Sequence, residues 1–156
     1  MNNWSKLLAA FAAFAAFAAV AATATGLAAA GAAKTGGARV ALAASPLGRI
    51  LVDGKGITLY DFVKDDGTTS ACYGACAALW PPLTTSGKPI AGPGVRASLL
   101  GTTKRKDGKL EVTYNGHPLY YFVSDRKPGQ TTGHGLNQFG GPWWVISAAG
   151  KEIHRG

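Results

Sequence analysis

The feature of this 156-residue chain that most constrains its fold is an internal repeat. When residues 50–65 are aligned with residues 110–125, seven of the sixteen positions are identical. The identical pairs are Val52/Val112, Gly56/Gly116, Leu59/Leu119, Tyr60/Tyr120, Phe62/Phe122, Val63/Val123 and Asp65/Asp125. A unit of this size cannot bury its own apolar face, so two copies are expected to pack together as one domain.

The alignment continues beyond these segments once three residues are inserted near Pro128. Trp80 then aligns with Trp143, and Ile90 aligns with Ile153. The two copies are therefore predicted to span residues 50–90 and 110–153, within a duplicated domain over residues 48–156.

Each copy is predicted to begin as a β-hairpin. In copy two, Leu110–Tyr114 alternates apolar and polar residues, and Asn115-Gly116 follows as a two-residue turn in which both residues tolerate positive φ. A strand from Pro118 to Val123 comes next, on which Tyr120 and Phe122 share one face. Asp61 lies on the opposite face in copy one, which predicts that this face is only partly buried.

Each copy is predicted to end in a strand that carries tryptophan, over residues 80–83 and 143–146. Because Pro81 and Pro82 cannot donate backbone hydrogen bonds, the first of these strands is expected at an edge or in irregular form. The segment 70–79 has room for one short helical turn. The predicted fold class is all-β, with two tandem hairpin-plus-strand units packed as one small antiparallel sandwich or barrel-like domain.

The N-terminal region predicts export. No charged residue lies between Leu7 and Ala30, and small residues provide cleavage sites that end at Ala24 and Ala30. We interpret residues 1–30 as a signal peptide, with an uncleaved membrane anchor as the alternative. The Gly/Ala-rich segment 31–47 is interpreted as a flexible linker.

The charge of the chain favours a basic soluble surface, with attraction to an anionic partner as the alternative. Its formal net charge is +8, and from Leu47 onward 13 Lys and Arg face 8 Asp and Glu. The charges are scattered, which is typical of a basic soluble surface, and the one cluster, Lys104–Lys106, is expected in a turn. The alternative partner is an anionic envelope surface or another envelope protein. Nucleic acid is not expected as a partner, because the protein is predicted to be exported and has no basic stripe.

Five segments resemble the bacterial secreted-repeat lipoproteins, a family defined by the motif Tyr-x-(Phe/Trp/Tyr)-x-x-Asp. They are YDFVKD (60–65), CYGACAALWPPL (72–83), YNGHPLYYFVSD (114–125), PGQTTGHG (128–135) and FGGPWWVISAAG (139–150). The resemblance covers nearly all of residues 48–153 and implies a periplasmic or secreted protein of uncharacterised function. Tyr60, Phe62, Asp65 and their counterparts Tyr120, Phe122 and Asp125 carry the motif. Many relatives have a lipid-attachment cysteine, whereas no cysteine precedes Cys72 here.

Cys72 and Cys76 are the two cysteines of the chain. In an oxidising compartment they are expected to form a local disulfide that holds a loop. They align with Gly135 and Phe139, which predicts that copy two holds the same loop with a buried Phe139 ring. The alternative is a copper or redox site that Cys72 and Cys76 would form with His117 or His134.

The remaining candidate residues each have a structural and a functional interpretation. His117, His134 and His154 lack metal-ligand spacing and are expected to be exposed loop residues. Asp65 and Asp125 are expected to cap the turns that follow them, with a carboxylate pair for acid–base chemistry as the alternative. Most aromatic residues are expected in the core, whereas Tyr121 and Trp144, which lack aromatic counterparts in copy one, are predicted to face a ligand.

The sequence therefore predicts an exported protein with a binding or structural role in the cell envelope. It contains no hydrolase, nucleotide, haem or zinc-protease motif, so no enzymatic activity and no cofactor are expected. A copper-binding or redox accessory protein is the second hypothesis, and a hydrolase that uses Asp65 and Asp125 is the third. Membrane attachment is expected only if the N-terminal segment stays uncleaved.

Overall fold

The computed structural model describes residues 36–155, which form a mostly β structure with one short helix. The predicted signal peptide and the first residues of the predicted linker lie outside these described residues. The strands are β1 (Arg39–Ser45), β2 (Gly48–Asp53), β3 (Tyr60–Phe62), β4 (Thr84–Thr85), β5 (Ile90–Ala91), β6 (Leu100–Lys104), β7 (Leu110–Tyr114), β8 (His117–Pro118), β9 (Asn137–Gln138) and β10 (Gly141–Val145). Helix α1 covers Ala75–Leu79, and a 3₁₀ turn covers Ala97–Leu99.

The strands form three small sheets. Their orders are β2-β1-β5, β3-β10-β9 and β4-β7-β6, and β8 pairs with β7. Within the described part of the chain the strand pairings are antiparallel, apart from the parallel pair β1–β5. The predicted antiparallel all-β fold is thus confirmed in its open, sandwich-like form. Across residues 36–155, no helix has the length and apolar character needed to cross a membrane.

The two copies meet at equivalent residues. Tyr60 and Tyr120 form an antiparallel bridge. The Tyr60 amide donates to the Tyr120 carbonyl at 2.8 Å, and the Tyr120 amide donates to the Tyr60 carbonyl at 2.9 Å. Because each residue is bonded to its own counterpart, the copies are related by a local pseudo-twofold axis at this bridge.

The closing segment of each copy packs on the central strand of the other. Strand β10 of copy two pairs with β3 of copy one, with Trp143 opposite Phe62. In the other direction, Pro82 bridges Tyr120, and the Tyr121 amide donates to the Pro81 carbonyl at 2.8 Å. The segment 80–83 contains no strand, as its two prolines predict. The two repeats are therefore interlocked.

Four stacked rings form the centre of the core. Trp80 and Trp143 stack across the pseudo-twofold axis, with their ring centroids 3.9 Å apart. Phe62 stacks on Trp143 with a centroid separation of 4.0 Å, and Phe122 stacks on Trp80 with a separation of 4.4 Å. Tyr60 meets the edge of Trp80 at 5.4 Å, as Tyr120 meets Trp143 at 5.2 Å. The prediction that most aromatic residues form the core is confirmed, and offset or edge-on ring pairs are individually stabilising.

The predicted turn at Asn115-Gly116 is confirmed. Asn115 has φ 50° and Gly116 has φ 83°, and the flanking residues Tyr114 and His117 are paired. Both residues thus adopt the left-handed conformation that a tight hairpin turn requires. The strand after this turn is shorter than predicted, because only His117–Pro118 is paired as a strand and Tyr120 makes isolated bridges.

The predicted flexible linker over residues 31–47 is wrong for its second half. Residues Arg39–Ser45 form β1, which lies between β2 and β5, and Val40 is fully buried. Pairing on both edges satisfies the backbone of this segment, so its Ala-rich composition does not prevent a strand. The domain therefore begins near residue 39.

One prediction about an exposed face is also wrong. Asp61 is only 1% exposed, although it was expected on a partly open face. On β7, Leu110 is 38% exposed whereas Glu111 and Thr113 are buried. Val112 and Tyr114 are buried as well, so β7 is covered on both faces, and Glu111 is accommodated there by its ion pair with Arg105.

Candidate functional site

The motif residues of the two repeats bind each other reciprocally. The Tyr60 hydroxyl donates to Asp125 Oδ2 at 2.5 Å, and the Tyr120 hydroxyl donates to Asp65 Oδ2 at 2.8 Å. Burial raises the pKa of both tyrosines well above the usual value, so they remain donors. Each copy thus supplies the hydroxyl that satisfies the carboxylate of the other.

The second oxygen of each carboxylate holds a loop. Asp65 Oδ1 accepts a hydrogen bond from the Ala71 amide at 2.8 Å, and Asp125 Oδ1 accepts from the Thr132 amide at 3.0 Å. These partners lie six and seven residues downstream, beyond the immediate turn for which the caps were predicted. Burial raises the pKa of Asp65 to about 6. Because all four carboxylate oxygens accept hydrogen bonds from protein groups, the geometry favours the structural interpretation of this pair.

Cys72 and Cys76 form the predicted disulfide. Both residues are buried, and Cys76 lies in α1. The corresponding prediction for copy two is wrong, because Phe139 is 38% exposed. Copy two holds its loop with backbone pairing instead, since the Gly135 amide donates to the Trp143 carbonyl at 2.8 Å and β9 pairs with β10.

A buried ion pair supports the disulfide loop. Arg105 is 4% exposed, and its guanidinium donates to Glu111 at 2.7 Å, to the Cys72 carbonyl at 2.6 Å and to Ser70 at 3.0 Å. Burial raises the pKa of Glu111 to about 7, against the opposing effect of Arg105. Sequence reasoning assigned Arg105 to a solvated turn with its lysine neighbours. The signal it missed is an opposite charge on either side of the Asp107-Gly108 turn.

All three histidines belong to one group of side chains, the histidine cluster, which also contains Asp61, Glu152 and Trp144. His117 Nδ1 lies 3.3 Å from Asp61 Oδ2, and His154 Nε2 lies 2.5 Å from Glu152 Oε2. Trp144 stacks on the His154 ring at 4.6 Å and meets the His134 ring at 5.2 Å. Strand pairing places Trp144 opposite Asp61. The separation of these histidines in sequence concealed this arrangement.

Asp61 is the buried member of this cluster. Burial raises the pKa of Asp61 to about 6, with Glu152 adding to the effect and His117 opposing it. The hydrogen bond to Asp61 in turn raises the pKa of His117. Asp61 Oδ1 has no hydrogen-bond partner within the described residues. Asp61 and Glu152 are thus two interacting carboxylates, which favours retention of a proton between them.

A groove of about 550 Å³ opens beside this cluster. It is lined by Arg49, Ser147, Glu152, Ile153, His154 and Arg155. Trp144, which was predicted to face a ligand, is partly buried and reaches this region through its stack on His154. Tyr121, predicted likewise, donates to Asp53 Oδ2 at 3.1 Å and lines a separate cleft of about 300 Å³.

The structure does not support the copper or redox hypothesis. The two sulfur atoms are bonded to each other, while His117 and His134 make separate contacts with Asp61 and Trp144. Within residues 36–155, no group of three or more His, Cys, Asp or Glu residues is arranged to hold a metal ion.

Comparison with family models places this chain among known repeats. A model described as a secreted repeat of unknown function matches twice, at residues 41–84 and 101–147, which together cover more than half of the chain. Both matches begin upstream of the predicted repeats, at β1 and β6. Comparisons with curated proteins and with solved structures gave no match. The chain therefore belongs to the family of secreted repeats of unknown function, which indicates an extracellular or envelope location.

Proposed function

We propose that the protein is a non-catalytic binding domain of the cell envelope that attaches to an anionic surface. One observation carries the proposal: folding separates the charges. Of the fourteen Lys and Arg residues within 36–155, thirteen are exposed, whereas of the eight Asp and Glu residues only Asp66 and Asp107 are exposed. The surface is thus more basic than the net charge of the chain indicates.

The separation has a physical cause in the interlocked repeats. Asp125 and Glu111 accept buried hydrogen bonds, Asp65 accepts partly buried ones, and Asp61 pairs with His117 inside the cluster. Among the described residues, Arg105 is the one basic residue that is buried with these carboxylates. The other cations remain in solvent, where they create a positive potential that attracts an anionic surface.

A non-catalytic role is supported by the positions of the carboxylates. Asp65 and Asp125, which the sequence offered as an acid–base pair, each hold a loop with one oxygen and a tyrosine with the other. We further propose that the chain is exported by means of residues 1–30 and that this segment is removed. The mass of the exported protein tests this step, since an uncleaved anchor would leave the full-length mass.

Co-sedimentation with lipid vesicles tests the proposed function. The protein is expected to bind vesicles that contain phosphatidylglycerol and to ignore vesicles of phosphatidylcholine alone. Binding should weaken between about 0.02 M and about 0.3 M salt, because exposed charges are screened over shorter distances as ionic strength rises. Equal binding to both vesicle types, or binding that is indifferent to salt, would contradict the proposal.

A further inference from the structure

The groove beside the histidine cluster is lined by more positively than negatively charged side chains. Arg49 and Arg155 supply two guanidinium groups that stay protonated. Glu152 is the lining carboxylate, and it is bonded to His154 at 2.5 Å. The two arginines thus outnumber the one lining carboxylate, so the groove carries a net positive charge.

The backbone fixes both arginines at the groove. Arg49 precedes Ile50, which bridges Ser147, and its Nη2 atom lies close to Gly94. Arg155 follows Ile153, whose amide donates to the Val145 carbonyl at 3.0 Å, and its Nη2 atom lies 3.4 Å from the Leu47 carbonyl oxygen. The two side chains thus come from opposite ends of the domain sequence, and only folding brings them to one groove.

We propose that this groove binds a phosphate group of the anionic envelope surface; the inference rests on the proposed function and names its contact site. Guanidinium groups match phosphate oxygens with directed, charge-assisted hydrogen bonds. A phosphate group presents oxygens in several directions and can therefore accept hydrogen bonds from two arginines at once, which a ligand with a single carboxylate does less well. The volume of about 550 Å³ admits the phosphate together with the part of the molecule that carries it.

Glu152 gives the groove a built-in counter-charge. Its carboxylate pairs with His154 and would repel an anionic ligand in the same groove, so its removal should tighten phosphate binding. The groups that face it are His154 within the groove and the buried Asp61, which in turn contacts His117. Burial raises the pKa of Asp61, and the hydrogen bond to Asp61 raises the pKa of His117, so protonation of these two groups at lower pH reduces the negative charge beside the groove. Phosphate binding is therefore expected to strengthen as the pH falls.

Two charge-matched pairs of variants test the site in the full mature protein with phosphatidylglycerol vesicles. The Arg49→Gln/Arg155→Gln variant should lose affinity by about tenfold or more, because it removes two charge-assisted contacts. The Arg126→Gln/Lys127→Gln variant removes the same charge from an exposed turn and should lose about twofold. Glu152→Gln should bind more tightly, whereas Asp107→Asn, which changes the net charge equally, should have little effect. Circular dichroism and thermal unfolding confirm that each variant is folded.

The outcomes separate this inference from the proposed function. Equal losses in the two double variants would overturn the groove while leaving the anionic surface as partner. Failure of the unaltered protein to bind anionic vesicles would overturn the proposed function itself. Titration with inorganic phosphate and with glycerol phosphate, followed by the NMR signals of His154, tests the phosphate without a membrane. Shifts of the His154 signals that disappear in Arg49→Gln/Arg155→Gln support the site. His154 signals that do not change in the parent protein would overturn the proposal that the groove binds phosphate without the rest of the lipid.

Discussion

At the scale of single residues, the reciprocal Tyr–Asp pairs explain why the motif occurs twice. Tyr60 needs Asp125 and Tyr120 needs Asp65, so neither copy satisfies its own motif. A buried carboxylate without a donor is costly, and the partner copy provides that donor. The motif is therefore a contact between repeats as much as a feature of each repeat.

Removal of one motif hydroxyl should destabilise the whole domain. The Tyr60→Phe substitution deprives the buried Asp125 of its donor and is expected to lower the free energy of unfolding by about 1 to 3 kcal/mol. Urea unfolding of Tyr60→Phe, Tyr120→Phe and a Tyr121→Phe control measures the effect. Tyr121 is only partly buried and bonds to Asp53 at 3.1 Å, so its loss should cost less. A Tyr60→Phe protein as stable as the parent would refute the role of the pair.

Stability should fall as the pH rises from about 4 to about 7. The folded-state pKa values of Asp61 and Asp65 are about 6 and that of Glu111 is about 7, all above their unfolded values. A raised pKa stabilises the fold below the unfolded pKa, and this contribution is lost as the pH rises through the folded one. The raised pKa of His117 acts in the same direction.

Thermal unfolding across this pH range checks the prediction. For Asp61 alone the change is on the order of 2 kcal/mol, which is several degrees in melting temperature. Asp61→Asn removes one of the titrating groups and should flatten the curve. A melting temperature that rises steadily from pH 4 to 7 would contradict the assignment.

At the scale of secondary-structure elements, the two copies hold the loop that follows the motif by different means. Copy one holds the loop after its motif with a disulfide and α1, and copy two uses β9 paired with β10. The Arg105–Glu111 ion pair anchors the copy-one loop through the Cys72 carbonyl. Beyond the motif carboxylate that holds each loop, copy one thus depends on further side chains, whereas copy two depends on backbone pairing.

The Cys72–Cys76 bond should contribute modest stability. The Cys72→Ser/Cys76→Ser variant is expected to unfold about 2 kcal/mol more easily, because so short a loop restricts the unfolded chain only slightly. Thiol titration of the unreduced, denatured parent protein should find no reactive thiol before reduction and two afterwards. Two reactive thiols without reduction would show that the bond does not form in the exported protein.

At the scale of the whole molecule, the interlocked repeats make a single cooperative unit. Each closing segment pairs with the central strand of the other copy, and the four-ring stack crosses the pseudo-twofold axis. No plane separates the copies without breaking both the backbone pairing and the core. The same arrangement draws carboxylates inward and leaves the surface basic.

Neither repeat should therefore fold alone. Fragments 36–91 and 92–155 are each expected to lack a cooperative transition, because each exposes half of the ring stack and an unpaired central strand. Mixing them should restore the near-ultraviolet circular dichroism of the stacked tryptophans. The uncut domain serves as the control, and a monomeric fragment with its own cooperative transition would disprove the interlock.

Sequence patterns were sufficient to predict the duplication, the all-β class, the turn at Asn115-Gly116, the aromatic core and the disulfide. These features depend on local rules, since residue spacing, turn chemistry and cysteine proximity act over a few positions. The proline-interrupted segment 80–83 was predictable for the same reason. The repeat alignment also located the motif residues, although it did not show that they pair across the copies.

The positions of the charges and of the candidate site depend on contacts between distant segments. Asp61 was expected on a partly open face and is buried, because His117 reaches it from the other repeat. Strand β1 was hidden in an Ala-rich segment, since its stability comes from neighbours on both edges. The groove joins Arg49 to Arg155 across the length of the domain. Such long-range contacts leave no local pattern in the sequence, so neither the burial of these residues nor their contact partners could be predicted from it.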